Sequence, residues 1–350
     1  MPSETPELPT PKKKPRTIAR RCGTIALLGR PNVGKSTLLN GLLGERLAIT
    51  SHQPQTTRDR IAGILTTPEG QLVFHDTPGV HDAKNRLGKR MNDVAGSAAS
   101  EADVVVFVTD VGNSVPAHVR PEDLAILKTI PEDKKVVLVI NKVDKVREKP
   151  QLMDHLTSWA AARDFAALIP LSARKRDGIQ QLHKVLLDLV PKGELLYPED
   201  ELSDRPVRFF VAELVREQIL MRTREEIPHG VAVTIDAYEE PSGTSAKKKS
   251  VTRITLTIHV ARDSHKGIII GQGGKMLQAI GTGARERAEH LIGAPVHLDV
   301  KVRATPGWFD NAAQLVDLGY GDGGGSEKRK ANSKSSAVKS AKKKVATSTR

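Results

Sequence analysis

The chain has 350 residues, a net charge of +13 and a single cysteine, Cys22. That length supports two domains with separate cores, and one cysteine excludes an intramolecular disulfide or a cysteine-based zinc site. No window approaches the roughly 18 apolar residues of a membrane span, and no signal-peptide pattern precedes the first domain, so a cytoplasmic protein is expected.

The basic excess sits mostly at the ends. Residues 1–22 hold six Lys/Arg against Glu4 and Glu7, and residues 321–350 hold nine against Asp322 and Glu327. Both segments are rich in Pro, Ser, Lys and Ala and poor in aromatics, so they are expected to be a disordered basic arm and tail. Such arms suit contact with polyanions, nucleic acid or acidic lipid.

From residue 23 to about 190, strand and helix patterns alternate. Residues 24–28 (TIALL) read as a buried strand, and residues 36–43 (STLLNGLL) place apolar side chains at helical spacing. Between them lies Gly29-Arg30-Pro31-Asn32-Val33-Gly34-Lys35-Ser36, followed by Thr37. This is a phosphate-cradling P-loop in the context it needs, with backbone N–H groups and a helix N-terminus aimed at one anion. Lys35 can reach the β- and γ-phosphates, and Ser36 can offer its hydroxyl to Mg²⁺.

A polar stretch at 50–60 follows, then apolar runs at 61–66 and 71–75 joined by Pro68-Glu69-Gly70, which read as a hairpin. Strands are expected at 102–109, 135–140 and 166–170, with helices near 121–129, 152–163 and 178–189. Continuous Val/Ile/Leu runs separated by helices predict a mostly parallel α/β sheet covered on both faces. Ligands in such sheets sit beyond the carboxyl ends of the strands, where the other motifs fall. Asp76-Thr77-Pro78-Gly79 can serve Mg²⁺ through the aspartate and a γ-phosphate through the Gly79 amide. Asn141-Lys142-Val143-Asp144 offers a carboxylate that accepts two hydrogen bonds from guanine, which adenine cannot supply. Ser172-Ala173 follows the next strand, with a backbone N–H for the guanine oxygen.

Residues 191–205 read as a linker, and a second domain is expected over 206–320. It begins with a helical stripe at 208–221, continues with strands at 231–238 and 252–260, and has a Lys247-Lys248-Lys249 tip between them. Then come Gly271-Gln272-Gly273-Gly274, a long helix to about Ile292, a strand at 296–302 and a short helix near 311–318. The GQGG stretch fits the G-x-x-G loop of a KH domain, which clamps single-stranded nucleotides, and the element order fits the bacterial-type (type II) α+β KH topology. Arg262, Lys266, Lys275, Arg285 and Arg287 supply positive charge near it in sequence.

The ordered set GRPNVGKS, DTPG, NKVD and SA resembles the translation-factor-like branch of GTPases. Followed by this KH domain, it resembles the Era GTPases from about Gly23 to Tyr320, including Gln55-Thr56-Thr57-Arg58 and Gly307-Trp308. The resemblance implies GTP hydrolysis with GTP/GDP and Mg²⁺, and a first switch in which Thr56 or Thr57 closes on the metal and γ-phosphate. It also implies binding to the 3′ end of 16S rRNA, action in maturation of the small (30S) subunit, and a cytoplasmic monomer partly associated with the inner face of the membrane. Many relatives carry a glutamine where this chain has Val80, followed by His81. An aliphatic side chain cannot orient water, so slow intrinsic hydrolysis is expected, completed by K⁺ held through Asn32 or by His81 itself. Two other readings remain at this point: an RNA-binding assembly scaffold with incidental hydrolysis, and a tRNA-modifying or transport GTPase, against which the KH region argues.

Overall fold

The computed structural model describes residues 20–112, 119–146, 149–240, 251–321 and 337–339. The first unit runs β1 (Arg20–Leu28), α1 (Lys35–Leu43), β2 (Ile61–Thr67), β3 (Gly70–Asp76), α2 (Arg86–Glu101), β4 (Val104–Asp110), α3 (Pro121–Leu127), β5 (Lys135–Asn141), α4 (Lys149–Ala160), β6 (Ala167–Pro170) and α5 (Ile179–Leu189). Six strands of its sheet lie in the order β2-β3-β1-β4-β5-β6 and are parallel except for the β2–β3 hairpin.

The apolar runs of β4 and β5 are buried on both sides because alternate residues feed two cores. Val104, Val106, Val137 and Val139 meet Leu38, Leu39, Leu182 and Leu186 of α1 and α5. Val105, Phe107, Val136 and Leu138 meet Ala95, Ala99, Ile126 and Trp159 of α2, α3 and α4. The strand ends are thereby fixed, and the loops after β1, β3, β5 and β6 open on one edge. Helix α2 has no counterpart in the expected elements. Its buried face carries two large apolar side chains, Leu87 and Met91, beside Gly88, Ala95, Ala98 and Ala99.

Two more strands follow, β7 (Lys192–Gly193) and β8 (Glu201–Pro206). They occupy the stretch expected as a linker, and β7 pairs antiparallel with the start of β1. Residues 20–22, expected in the basic arm, belong to β1, and Cys22 is buried there. The rest of the arm (1–19), the lysine tip at 241–250, and tail residues 322–336 and 340–350 lie outside the described residues. Within the tail, β12 (Ala337–Lys339) pairs with β8.

The second unit runs α6 (Val207–Arg222), β9 (Val231–Glu239), β10 (Thr252–Val260), α7 (Asp263–Ile270), α8 (Lys275–Ile292), β11 (Val296–Ala304) and α9 (Ala312–Asp317). The three strands lie in the order β11-β10-β9, with β10 and β11 parallel. Val215 and Ile219 of α6, Ile269 of α7, and Ile280 and Ala284 of α8 cover Leu256, Ile258 and Val260 of β10. The two units share a further apolar cluster, in which Leu87 and Met91 of α2 pack with Ala232, Ala261, Trp308, Leu315 and Leu318.

Candidate functional site

The loop after β1 turns sharply into α1 through Gly34 (φ 105°), a left-handed conformation at the helix N-cap. Gly79 must also be small, because a Cβ there would stand 2.6 Å from the Pro31 nitrogen. Lys35 is buried and donates from Nζ to the carbonyls of Gly29 (2.9 Å) and Arg30 (3.0 Å). Burial pushes its pKa down to about 8, against the pull of Asp76.

Asp76 ends β3 fully buried. Its Oδ2 accepts from Ser36 Oγ at 2.7 Å and from Thr57 Oγ1 at 3.1 Å, while Oδ1 has no protein partner. Burial raises the carboxyl's pKa, and the two hydroxyls and Lys35 offset this only in part. Two hydroxyls and one carboxylate with an unpartnered oxygen are a hard-oxygen donor set of the kind that suits Mg²⁺, which takes few protein ligands beside phosphates. Thr56 does not join them. Its hydroxyl donates to the Gln53 carbonyl at 2.7 Å and lies 2.9 Å from Ser51 Oγ. Of the four oxygen donors expected from sequence, the fold brings Ser36, Thr57 and Asp76 together and turns Thr56 away.

Thr77 anchors the next loop by donating to the Leu27 carbonyl at 2.6 Å, and the Val80 amide donates to the Gly29 carbonyl at 3.3 Å. Pro78 and Gly79 complete the buried turn between them. The Val80 side chain packs toward the α2–α4 core. His81, in the loop after β3, is bracketed between that loop and the polar stretch before β2. Its Nδ1 lies 3.0 Å from the Gly79 carbonyl, an acceptor, so Nδ1 carries the proton and Nε2 accepts from Gln55 Nε2 at 2.9 Å.

Asn141 ties three motifs together. Its Nδ2 donates to the Val33 carbonyl at 2.8 Å, and its Oδ1 accepts from the Ala173 amide at 3.0 Å. Lys142 reaches back to the Asn32 carbonyl at 2.7 Å, and Val143 packs at the edge of the α2–α4 core. Asp144 is exposed, and Oδ1 accepts from the buried Ser172 hydroxyl at 2.6 Å. That hydrogen bond holds its carboxyl below the ordinary aspartate range.

Sequence reasoning missed the charges behind this edge. Asp110, the last residue of β4, pairs with Lys142 (2.6 Å), Arg120 (3.0 Å) and Arg30 (3.5 Å), and buried Asp123 pairs with Arg30 at 2.7 Å. The position of Asp110 at a strand end was the available signal. Asn32 stands exposed at φ 63°, its Nδ2 donating to the His52 carbonyl at 2.9 Å.

In the second unit, Gly271 (φ 70°), Gly273 (φ 57°) and Gly274 (φ 78°) form a tight turn into the N-terminus of α8. Gln272, Gly273, Lys275, Arg262 and Lys266 are exposed around it. This is a backbone surface that a phosphodiester can approach, next to a helix N-terminus. Arg285 is not part of it: it sits about 15 Å along α8 from Lys275 at helical rise, paired with Glu289 at 3.0 Å. Arg287 also lies away from the loop, paired with Glu217 of α6. Among the described residues, no helix is long and apolar enough to cross a membrane.

Comparison with known proteins gives the same two units. A family described as 50S ribosome-binding GTPase matches residues 24–142, and the KH domain family matches residues 226–309. The chain is 44% identical over 303 residues to the GTPase Era of Geobacter sp. (strain M21), covering 86% of this chain and 98% of that protein. It is 43% identical to the GTPase Era of Nostoc sp., with 86% and 90% covered. Among solved structures, a variant of Aquifex aeolicus Era bound to GDP·AlF4⁻ superposes with a TM-score of 0.81 at 36% identity, covering 86% of this chain and 99% of that one. An Era in complex with MgGDPNP and nucleotides 1506–1542 of 16S ribosomal RNA superposes with a TM-score of 0.79 at 37% identity, with the same coverage.

Proposed function

From its membership of the Era family of GTPases, to which this chain belongs, we propose that it is a GTP-gated RNA-binding switch acting on the 3′ end of 16S rRNA during assembly of the small ribosomal subunit. It is a GTPase with a KH domain. The gating is our reading, and one observation carries it. The loop that brings Thr57 to Asp76 is held on its other side by the second domain: Arg58 donates to the Val231 carbonyl at 2.5 Å, and Arg216 donates to the Thr56 carbonyl. A change at the phosphates therefore cannot move this loop without disturbing the domain that carries the GQGG turn.

In this reading the N–H groups of residues 32–37 hold the phosphates, Lys35 neutralises them, and Asp144 reads guanine, while the Ala173 amide, which donates to Asn141 Oδ1 in this structure, would turn to the guanine oxygen. Ser36, Thr57 and Asp76 would hold Mg²⁺, which when bound supplies positive charge to the β- and γ-phosphates. Hydrolysis is slow, because the half-buried Val80 side chain packs against the core and offers no group to orient water. K⁺ beside the phosphates would take the oxygen end of the Asn32 amide, whose nitrogen end is committed to His52. RNA follows the GQGG turn with Arg262, Lys266 and Lys275. We place the protein in the cytoplasm as a monomer, with peripheral contact at the inner membrane face. The solved Era complex with 16S ribosomal RNA supports the choice of RNA.

The test is affinity for a short RNA of the 16S 3′-end sequence, measured with a non-hydrolysable GTP analogue, with GDP and without nucleotide. Gating requires that the three differ. Replacing Gln272 and Gly273 by Asp should abolish binding in every state and leave GTP hydrolysis of the free protein unchanged. Equal affinities in all three states would instead describe an RNA-binding scaffold in which hydrolysis is incidental.

A further inference from the structure

Two adjacent residues on α6 grip the first switch loop at both ends. Glu217 is fully buried, and its Oε1 accepts from the Thr50 amide at 2.9 Å and from Arg46 at 3.1 Å. Its other oxygen pairs with Arg287 on α8. Arg216, also buried, donates to the Thr56 carbonyl and is itself oriented by Glu213, at 2.6 and 2.8 Å. Thr57, the next residue along, has its hydroxyl 3.1 Å from Asp76 Oδ2 and 2.9 Å from Ser36 Oγ. The loop between Thr50 and Thr56 is polar and lacks regular structure of its own, so what fixes its ends fixes where Thr57 stands.

We infer that Arg216 and Glu217 are positioning residues for GTP hydrolysis, acting from the KH-bearing half of the chain through the first switch loop on Thr57. Neither side chain touches the reacting atoms. Both are buried charges, and each joins an ion pair to one main-chain group of the loop, Arg216 to the Thr56 carbonyl and Glu217 to the Thr50 amide, a costly arrangement unless those partners are kept in place. Glu217 adds a second connection, because Arg287 lies on the helix whose N-terminus is the GQGG turn. Any ligand that shifts α8 against α6 therefore acts on the same carboxylate that holds Thr50. The inference rests on the reading of Thr57 as a metal and γ-phosphate residue.

GDP lacks the γ-phosphate on which Thr57 would close, so the effect of these residues must discriminate between nucleotides. In full-length protein with Mg²⁺ present, E217Q should lower kcat and the affinity for a GTP analogue by about tenfold each, the scale of one buried charge-assisted hydrogen bond. Affinity for GDP should stay within about twofold. R216K keeps the buried charge opposite Glu213 but loses the forked donor, and should give part of the same pattern. A residue that only glued the domains together would lower the unfolding midpoint and leave the ratio of GTP-analogue to GDP affinity unchanged. Folded E217Q or R216K with wild-type kcat and an unchanged ratio would overturn the inference; if E217Q does not fold, R216K decides alone. T57A separates this from the parent reading: a loss in T57A without a loss in the α6 variants refutes the positioning role alone. A wild-type rate in T57A refutes the site on which it rests.

Discussion

The guanidinium of Arg58 lies over the indole of Trp308, 5.7 Å from the ring centroid. Arg58 belongs to the first switch loop and is buried, with only 2% of its surface exposed. Besides Val231 it donates to the carbonyls of Pro228 (2.9 Å) and His229 (3.0 Å). Trp308 is fully buried and donates from Nε1 to the Gly230 carbonyl at 3.1 Å. One cation thus closes four partners from the second domain onto the loop that carries Thr57.

Replacing Arg58 by Ala should destabilise the protein by about 3 kcal/mol, because buried carbonyls lose a charged donor and the ring loses its cation. Trp308 fluorescence in a Trp159→Phe background reports the unfolding of this region in denaturant. A double-mutant cycle of R58A with W308F, followed by far-UV circular dichroism because W308F removes the fluorophore, should show a coupling of about 1 kcal/mol. Additive effects within about 0.3 kcal/mol would mean that the stacking contributes nothing.

Both members of this pair were visible in the sequence as separate fragments of one resemblance, QTTR and GW. Their contact was not, because a helical or strand period says nothing about which side of one domain meets another. The same limit explains Arg216 and Glu217, two charged residues within the helical stripe at 208–221 that belong to no local motif. The parallel sheet, the P-loop and the GQGG turn were legible because each rests on local spacing. The choice between Thr56 and Thr57 was not legible from spacing, since it depends on Arg216 from the second domain holding the Thr56 carbonyl and on the way the loop turns Thr56 back to Ser51 and Gln53.

In the proposed reading, base choice depends on Asp144, a carboxylate held by the Ser172 hydroxyl. Asp144→Asn replaces two accepting oxygens by one acceptor and one donor. GTP affinity should fall by about 100-fold or more, and xanthosine triphosphate should bind better than GTP. Ser172→Ala removes the 2.6 Å hydrogen bond that orients Asp144 and should cost about tenfold for every guanine nucleotide. Competition binding with GTP, GDP, ATP and xanthosine triphosphate checks both. Unchanged GTP affinity in D144N would remove Asp144 from the site.

If Lys35 meets the phosphates as proposed, nucleotide affinity should be sensitive to pH at an accessible point. In the free protein, burial holds its pKa at about 8. A bound di- or triphosphate favours the ammonium form, so the bound pKa lies higher. Between the two values binding takes up a proton, and affinity therefore falls as pH rises above about 8, by up to about tenfold per unit. Calorimetry of GDP·Mg binding between pH 7 and 9.5, in buffers of different ionisation enthalpy, measures the uptake directly. Lys35→Arg should bind more weakly at every pH and show no such slope, since a guanidinium does not titrate there. A wild-type affinity that is flat across this range would mean that Lys35 is fully protonated before nucleotide arrives.

The remaining question is what assists the attacking water. The half-buried Val80 side chain packs against the core and its amide donates to Gly29, so it presents no polar group to the phosphates. His81 is engaged on both ring nitrogens, by Gly79 on one side and Gln55 on the other. Asn32 is the group on the P-loop that is both exposed and polar, and its amide is already oriented by His52 of the first switch. An amide oxygen there suits a weakly hydrated monovalent cation, which would supply positive charge as the γ-phosphate departs. Hydrolysis should run about tenfold or more faster in KCl than in NaCl at equal ionic strength, because simple screening is the same in both salts. Asn32→Ala should bring the KCl rate down to the NaCl rate, whereas His81→Ala should leave the ratio between the two salts unchanged. The decisive comparison is single-turnover hydrolysis by the three proteins in the two salts. If the wild-type rate ignores the cation and H81A alone abolishes hydrolysis, the histidine must leave its bracket to act on the water, and Asn32 serves only to hold the switch.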